Sequence, residues 1–153
     1  MNRQDMIFDI NYSYYLETMF STFTGRIDKL IAIILFILGG SVFTPFSNLF
    51  LFGSLVSLLS AIQYFYAFSK HSCYSNAQAK KYLTLIRNAP QLSDAELHQK
   101  INELEKADTK PYGIFANAAY KRARIRLGLN NENSKLTFIE SLFAFFAGDL
   151  PKS

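Results

Sequence analysis

The chain has 153 residues, of which 50% are hydrophobic, 16% aromatic and only 18% charged, with a net charge of +4 and no Trp. Average soluble chains carry about a quarter charged residues, so this composition excludes a disordered or low-complexity protein and suits one domain. The charges are also unevenly placed: none falls between Lys29 and Lys70. Forty consecutive uncharged positions are roughly what two bilayer-spanning helices of about 20 residues each require. The expectation is an all-α membrane protein: a two-helix transmembrane hairpin with an N-terminal helix and a C-terminal cytoplasmic helical region.

In chain order, residues 1–25 predict a helix carrying Met6, Ile7, Ile10, Tyr14, Leu16, Met19, Phe20 and Phe23. It either packs on the cytoplasmic region or lies along the headgroups. Asp5, Asp9 and Glu17 weigh mildly against an anionic surface, and they also break the pattern of a secretory signal, so the apolar block is expected in the mature protein. The hairpin is placed at residues 26–69, with spans at about 29–46 and 49–69. Pro45 disfavours helix at Thr44, and Ser47 or Asn48 is positioned to cap the second span. In that span Gly53, Ser54, Ser57, Ser60 and Ala61 form a stripe of small residues, which lets helices approach closely in lipid. The stripe is expected to contact another helix or to line a pore.

Basic residues flank the hairpin at Arg26, Lys29, Lys70, Lys80 and Lys81 and are missing from its turn, which puts both termini on the cytoplasmic side of the inner (cell) membrane. Tyr64, Tyr66 and Tyr74 suit the headgroup level there. The spans hold no Asp, Glu, Lys, Arg or His, so no proton relay or charged ion site is encoded in them.

Residues 70–130 read as soluble helices. One runs over Ser75–Arg87 and is ended by Pro90. Ser93-Asp94-Ala95-Glu96 is a capping box that opens a narrowly amphipathic helix with Leu97, Ile101 and Leu104. Its acids, Asp94, Glu96, Glu103, Glu105 and Asp108, stand at helical spacings from Lys100, Lys106 and Lys110 and predict a solvated face. A further helix, Ile114–Leu127, stops at Gly128. Within it Lys121, Arg122, Arg124 and Arg126 form the densest basic signal. They either complement the helix dipole under the positive-inside bias or bind anionic inner-leaflet headgroups. Nucleic acid ranks last, because Tyr120 alone makes no stacking platform. Residues 131–153 hold an aromatic helix over Lys135–Ala147, too short to span. It caps the cytoplasmic helices or inserts a Phe face into the inner leaflet, and Phe143, Phe145 and Phe146 cannot all face one side.

No enzyme chemistry is expected. His71 and His98 with the single Cys73 lack any metal-ligand spacing, Ser69-Lys70 and Ser72-Cys73 read as polar interface, and Gly39-Gly40 is followed by no Lys of a phosphate loop. No catalytic residue, cofactor or metal is assigned.

The order of parts, with Tyr82 to Ile86, Asn88 to Leu92 leading into Ser93-Asp94-Ala95-Glu96-Leu97, Leu104 to Asp108 with Lys110-Pro111, and Ala116 to Tyr120 leading to Leu127-Gly128, resembles the SLATT-type two-transmembrane effectors of bacterial conflict and anti-phage systems. The resemblance covers residues 10–128 and leaves the aromatic tail without a counterpart. It implies a homo-oligomer that permeabilises the inner membrane when a separate sensor, protein or small molecule, triggers it. A membrane anchor or an immunity protein whose cytoplasmic helices bind a partner is the alternative.

Overall fold

The computed structural model describes residues 2–41, 48–129 and 136–151, and every regular element among them is helical. The spine is α1, Arg3–Ser41, a single helix of 39 residues. The boundary expected at residue 25 therefore falls inside a helix. Arg26, Asp28 and Lys29 mark a change of surroundings, but all three are compatible with helix and the backbone continues through them. The Pro45 turn expected between the spans lies outside the described residues.

Asn48 opens α2, Leu49–Tyr66, its side-chain oxygen accepting from the Leu51 N–H at 3.3 Å. Ala67 then takes a left-handed conformation (φ 44°) and divides α2 from α3, Phe68–Asn88. The second span, expected to reach residue 69, thus ends at Tyr66, and no Gly or Pro announces the break. The Ala67 N–H still donates to the Gln63 carbonyl and its carbonyl accepts from His71, so the path stays helical on both sides. A 3-10 turn at Ala89–Gln91 carries Pro90 and closes α3.

Ser93 caps α4, Asp94–Glu105, through the anticipated reciprocal box with Glu96. A second 3-10 turn, Gly113–Phe115, leads into α5, Ala116–Arg126. Gly128 (φ 67°) ends it while the Leu129 N–H returns to the Arg124 carbonyl. The last helix, α6, is Phe138–Phe146. It starts three residues later than the pattern of apolar positions predicts, because Thr137 and Glu140 form a second capping box.

Four bonds show that α2 and α3 run back antiparallel to α1. Arg3 donates to the Ala89 carbonyl at 2.7 Å, Ser21 and Ser72 exchange hydroxyl-to-carbonyl bonds at 2.9 and 2.8 Å, and Gln63 donates to Asp28 at 3.1 Å. The lower part of α1 is packed on several sides. Met6 and Ile10 meet Tyr82, Leu85, Leu97 and Ile101 of α3 and α4, while Met19 and Phe20 meet Phe115, Ala118, Ala119, Ala144 and Ala147 of the α5–α6 side. Beyond Lys29 that packing stops, and α1 and α2 continue as a bare two-helix ribbon.

Candidate functional site

The ribbon is the first unusual surface. Ile31, Ile34, Leu35 and Leu38 of α1 are buried or half-buried, as are Phe52, Val56, Leu59, Ile62 and Gln63 of α2. These positions recur at helical spacing and form the seam between the two helices. Many large apolar residues point outward: Phe36 is 84% and Phe50 85% exposed, and Leu30, Ile33, Ile37, Leu49, Leu51 and Leu58 are exposed with them. Soluble monomers rarely present contiguous apolar patches of more than a few hundred Å². No residue of α2 is buried.

The helical path Leu49–Gln91 is long and apolar enough to cross a membrane, with a mean hydropathy of 1.6 in its apolar window. The part of α1 beyond Lys29 contributes 12 described residues, short of the ~20 that a span needs. One membrane-crossing candidate thus stands among the described residues in place of the two expected.

The small-residue stripe faces away from α1. Gly53, Ser54, Ser57, Ser60 and Ala61 are all exposed, and a side chain built at Gly53 would meet nothing within 4 Å. Among the described residues no other helix covers the stripe.

At the foot of the ribbon the groups change character. Gln63 and Asp28 are bonded there, and Tyr64, Phe65 and Tyr66 stand exposed beside Arg26, Lys29 and Lys70.

Below the foot lies a polar layer that sequence reasoning missed. Glu17 is only 2% exposed. Its carboxylate accepts from the Thr109 N–H at 3.0 Å and the Thr109 hydroxyl at 2.6 Å, and Ser75 shares a hydroxyl contact with Thr109 at 2.8 Å. Asp108, next in chain, accepts from the Tyr82 hydroxyl at 2.8 Å and from Gln78 Nε2 at 2.7 Å. The same Gln78 amide reaches the Leu104 carbonyl. Residues 108 and 109 are thereby fastened to α1 and α3 at once.

Burial raises both carboxyl groups above their ordinary values, and each is raised against the lowering effect of its own hydrogen bonds; for Glu17 the charge of Asp108 adds to the rise. The Tyr82 hydroxyl is pushed up by burial and by the Asp108 carboxylate it serves. Asp94, Glu96, Glu103 and Glu105 are exposed, as a solvated acidic face requires, and the expectation fails at Asp108. Asp108 turns inward, and Asp94 bonds to Arg3 rather than to a lysine of its own helix. Local spacing could not show this, because Tyr82 and Arg3 come from other elements.

The basic patch is also engaged within the chain. Arg122 Nε lies 3.1 Å from Asp149, and its guanidinium is 6.0 Å from the Tyr15 ring centre. Arg126 stands 5.6 Å over Tyr14, and Arg124 stands 5.7 Å over Tyr120 while donating to its hydroxyl. Three of the four cations proposed for headgroups are therefore drawn onto rings of this chain; Lys121 is half-buried. His71 and Cys73 are exposed, His71 lining a surface groove with Gln78 and Thr109 of the polar layer, and no group of three or more metal-ligating side chains occurs among the described residues. What the arrangement offers is an apolar surface to be covered, a free helix-packing face and a buried proton-binding layer beneath them. No family model, curated protein or solved structure matches this chain.

Proposed function

We propose that this chain is a non-enzymatic membrane effector: α2 and the apolar end of α1 form a hairpin in the bilayer, and copies associate to permeabilise it. The observation that carries the membrane part is the exposed ribbon, which presents large hydrophobic residues outward on both helices and no charged one beyond Lys29. In water such a surface aggregates. In lipid it is already in its preferred solvent, and helices pair their interior backbone groups internally. The basic residues at the ribbon foot, Arg26, Lys29 and Lys70, with Lys80 and Lys81 further along α3, support a cytoplasmic head with both termini inside.

Two helices cannot enclose an aqueous path, so any pore needs several copies. The Gly53, Ser54, Ser57, Ser60 and Ala61 face supports that step, since small residues promote close contact in lipid and this face is uncovered among the described residues. The anti-phage role, and a trigger delivered by a separate sensor protein or small molecule, rest on the SLATT resemblance. Opening would follow from contacts that differ between closed and open assemblies.

The test is inducible expression in bacteria with a membrane-potential dye. Depolarisation by the wild type, lost in the Gly53→Leu, Ser57→Leu double variant, supports assembly through this face. Ser57 is exposed and a side chain at Gly53 would meet nothing within 4 Å among the described residues, so the substitutions are expected to leave the fold intact. A membrane-bound protein that never depolarises, even at high expression with a trigger supplied, favours an anchor or inhibitor role. Recovery of the chain in the soluble fraction without detergent overturns the membrane reading.

A further inference from the structure

The exposed face of α6 has a defined place relative to the ribbon. Its outward residues, Phe138, Ile139, Leu142, Phe145 and Phe146, occupy about 120° of the helix circumference at ~100° per residue. That arc contains no polar side chain. Phe138 is 83% exposed and Phe145 64%. The opposite face is committed to the head: Ala144 and Ala147 are buried, Phe143 stacks on Phe23 with ring centres 5.2 Å apart, and Glu140 accepts from Asn117 of α5. The helix therefore keeps its position without help from its outer side.

Its C-terminal end is also pinned in height. Arg26 donates to the Phe146 carbonyl at 2.8 Å, and the bend at Gly148 sits against the same guanidinium. Arg26 lies two residues, about 3 Å along the α1 axis, from Asp28, which bonds Gln63 at the ribbon foot. The exposed Tyr64, Phe65 and Tyr66 stand at that same foot. Phe145 and Phe146 thus share a level with an aromatic girdle and with Arg26, Lys29 and Lys70. Leu30, where the bare apolar surface begins, is about 6 Å further along α1. An interfacial helix sinks its apolar face ~5–10 Å into the boundary between headgroups and acyl chains.

We infer that α6 meets the membrane through its C-terminal end, with Leu142, Phe145 and Phe146 in the headgroup boundary of the leaflet from which the ribbon enters. This rests on the membrane reading of the hairpin and extends it. The chain then holds the bilayer at two points, a hairpin across the hydrocarbon and an aromatic foot beside it. Arg26 joins the two, since it lies on the helix that enters the membrane and its side chain holds the end of α6 that meets it.

The absence of Trp makes this directly testable. Full-length single-Trp variants, Phe145→Trp and Leu55→Trp, are reconstituted in phosphatidylcholine–phosphatidylglycerol vesicles containing lipids spin-labelled either near the headgroup or near the chain end. Both sites are exposed in the chain, so neither substitution disturbs the core. The inference requires that Phe145→Trp emission be quenched more by the shallow label than by the deep one, and that Leu55→Trp show the reverse order. It is overturned if Leu55→Trp is quenched by the deep label while Phe145→Trp is quenched by neither, whether its emission is solvent-like or shielded by protein. If Leu55→Trp is itself unquenched by both labels, the membrane reading of the hairpin fails, and the α6 inference with it.

Discussion

At Gly25 α1 lies close against Ser72 of α3, and the contact sets the cost of a side chain there. A Cβ placed there would lie 2.8 Å from the Ser72 hydroxyl and 3.6 Å from Ser72 Cβ. The first contact is impossible and the second is ordinary. In Gly25→Ala the hydroxyl must leave, which breaks its 2.8 Å bond to the Ser21 carbonyl. Losing that bond and leaving the half-buried hydroxyl without its acceptor costs about 1.5–2 kcal/mol. Replacing Gly by Ala inside a helix returns roughly 0.5–1 kcal/mol. Gly25→Ala alone should therefore destabilise by about 1 kcal/mol. With Ser72→Ala in place the obstruction is gone, only the helix preference remains, and the same change should stabilise by about 0.5–1 kcal/mol. The coupling in the double-mutant cycle is then about 1.5–2 kcal/mol. Denaturant titration of the detergent-solubilised chain, followed by helical circular dichroism, measures all four species. If Gly25→Ala has the same effect in both backgrounds within about 0.5 kcal/mol, the two helices are not in contact through this pair.

The raised carboxyl groups set a pH dependence. In the folded chain Glu17 and Asp108 hold protons at pH values where the unfolded chain has released them, so unfolding free energy should fall as pH rises from about 4 through their raised values. Glu17→Gln should flatten that decline and raise stability at neutral pH; a stability that climbs with pH over this window in the wild type and not in the variant would refute the assignment. At Ala67 the left-handed backbone is unfavourable for an L side chain by about 1–2 kcal/mol, so Ala67→Gly should raise the unfolding midpoint by a net of about 0.5–1 kcal/mol and Ala67→Val should lower it. Equal midpoints for the three would mean that the helix runs straight through residue 67.

The features legible in the sequence are those whose partners are close in sequence. Ser93 with Glu96, Asn48 with Leu51 and Gly128 after α5 each satisfy helix-end groups from within one turn, so spacing alone finds them. Thr137 with Glu140 carries the same signal and was hidden by the apolar positions before it, which pulled the expected start back to residue 135. Glu17 was opaque for the opposite reason. Its donors arrive from residue 109, and a carboxylate amid Tyr and Leu positions reads as surface until that partner is in place. The inward turn of the arginines escaped likewise, since Tyr14 and Tyr15 are over a hundred residues away in sequence.

The unbroken course of α1 changes how the head and the ribbon must be related. A helix of 39 residues is about 58 Å long and has no Pro to absorb a bend. A tilt imposed on its lower half by the helices around Glu17 is therefore transmitted to its apolar end. The returning chain is different. α3 is locked to α1 by the Ser21–Ser72 exchange and the polar layer, whereas α2 is joined to α3 through the strained Ala67 and meets α1 on one stripe only. Residue 67, where the backbone turns left-handed between α2 and α3, lies close to the foot where Gln63 bonds Asp28. A partner that shifts residues 108 and 109 would act on α1 through Glu17 and on α3 through Ser75, Gln78 and Tyr82. Because α2 is the element that carries the Gly53 and Ser57 face, a change of angle at Ala67 would alter which neighbours that face can reach, without unfolding any helix.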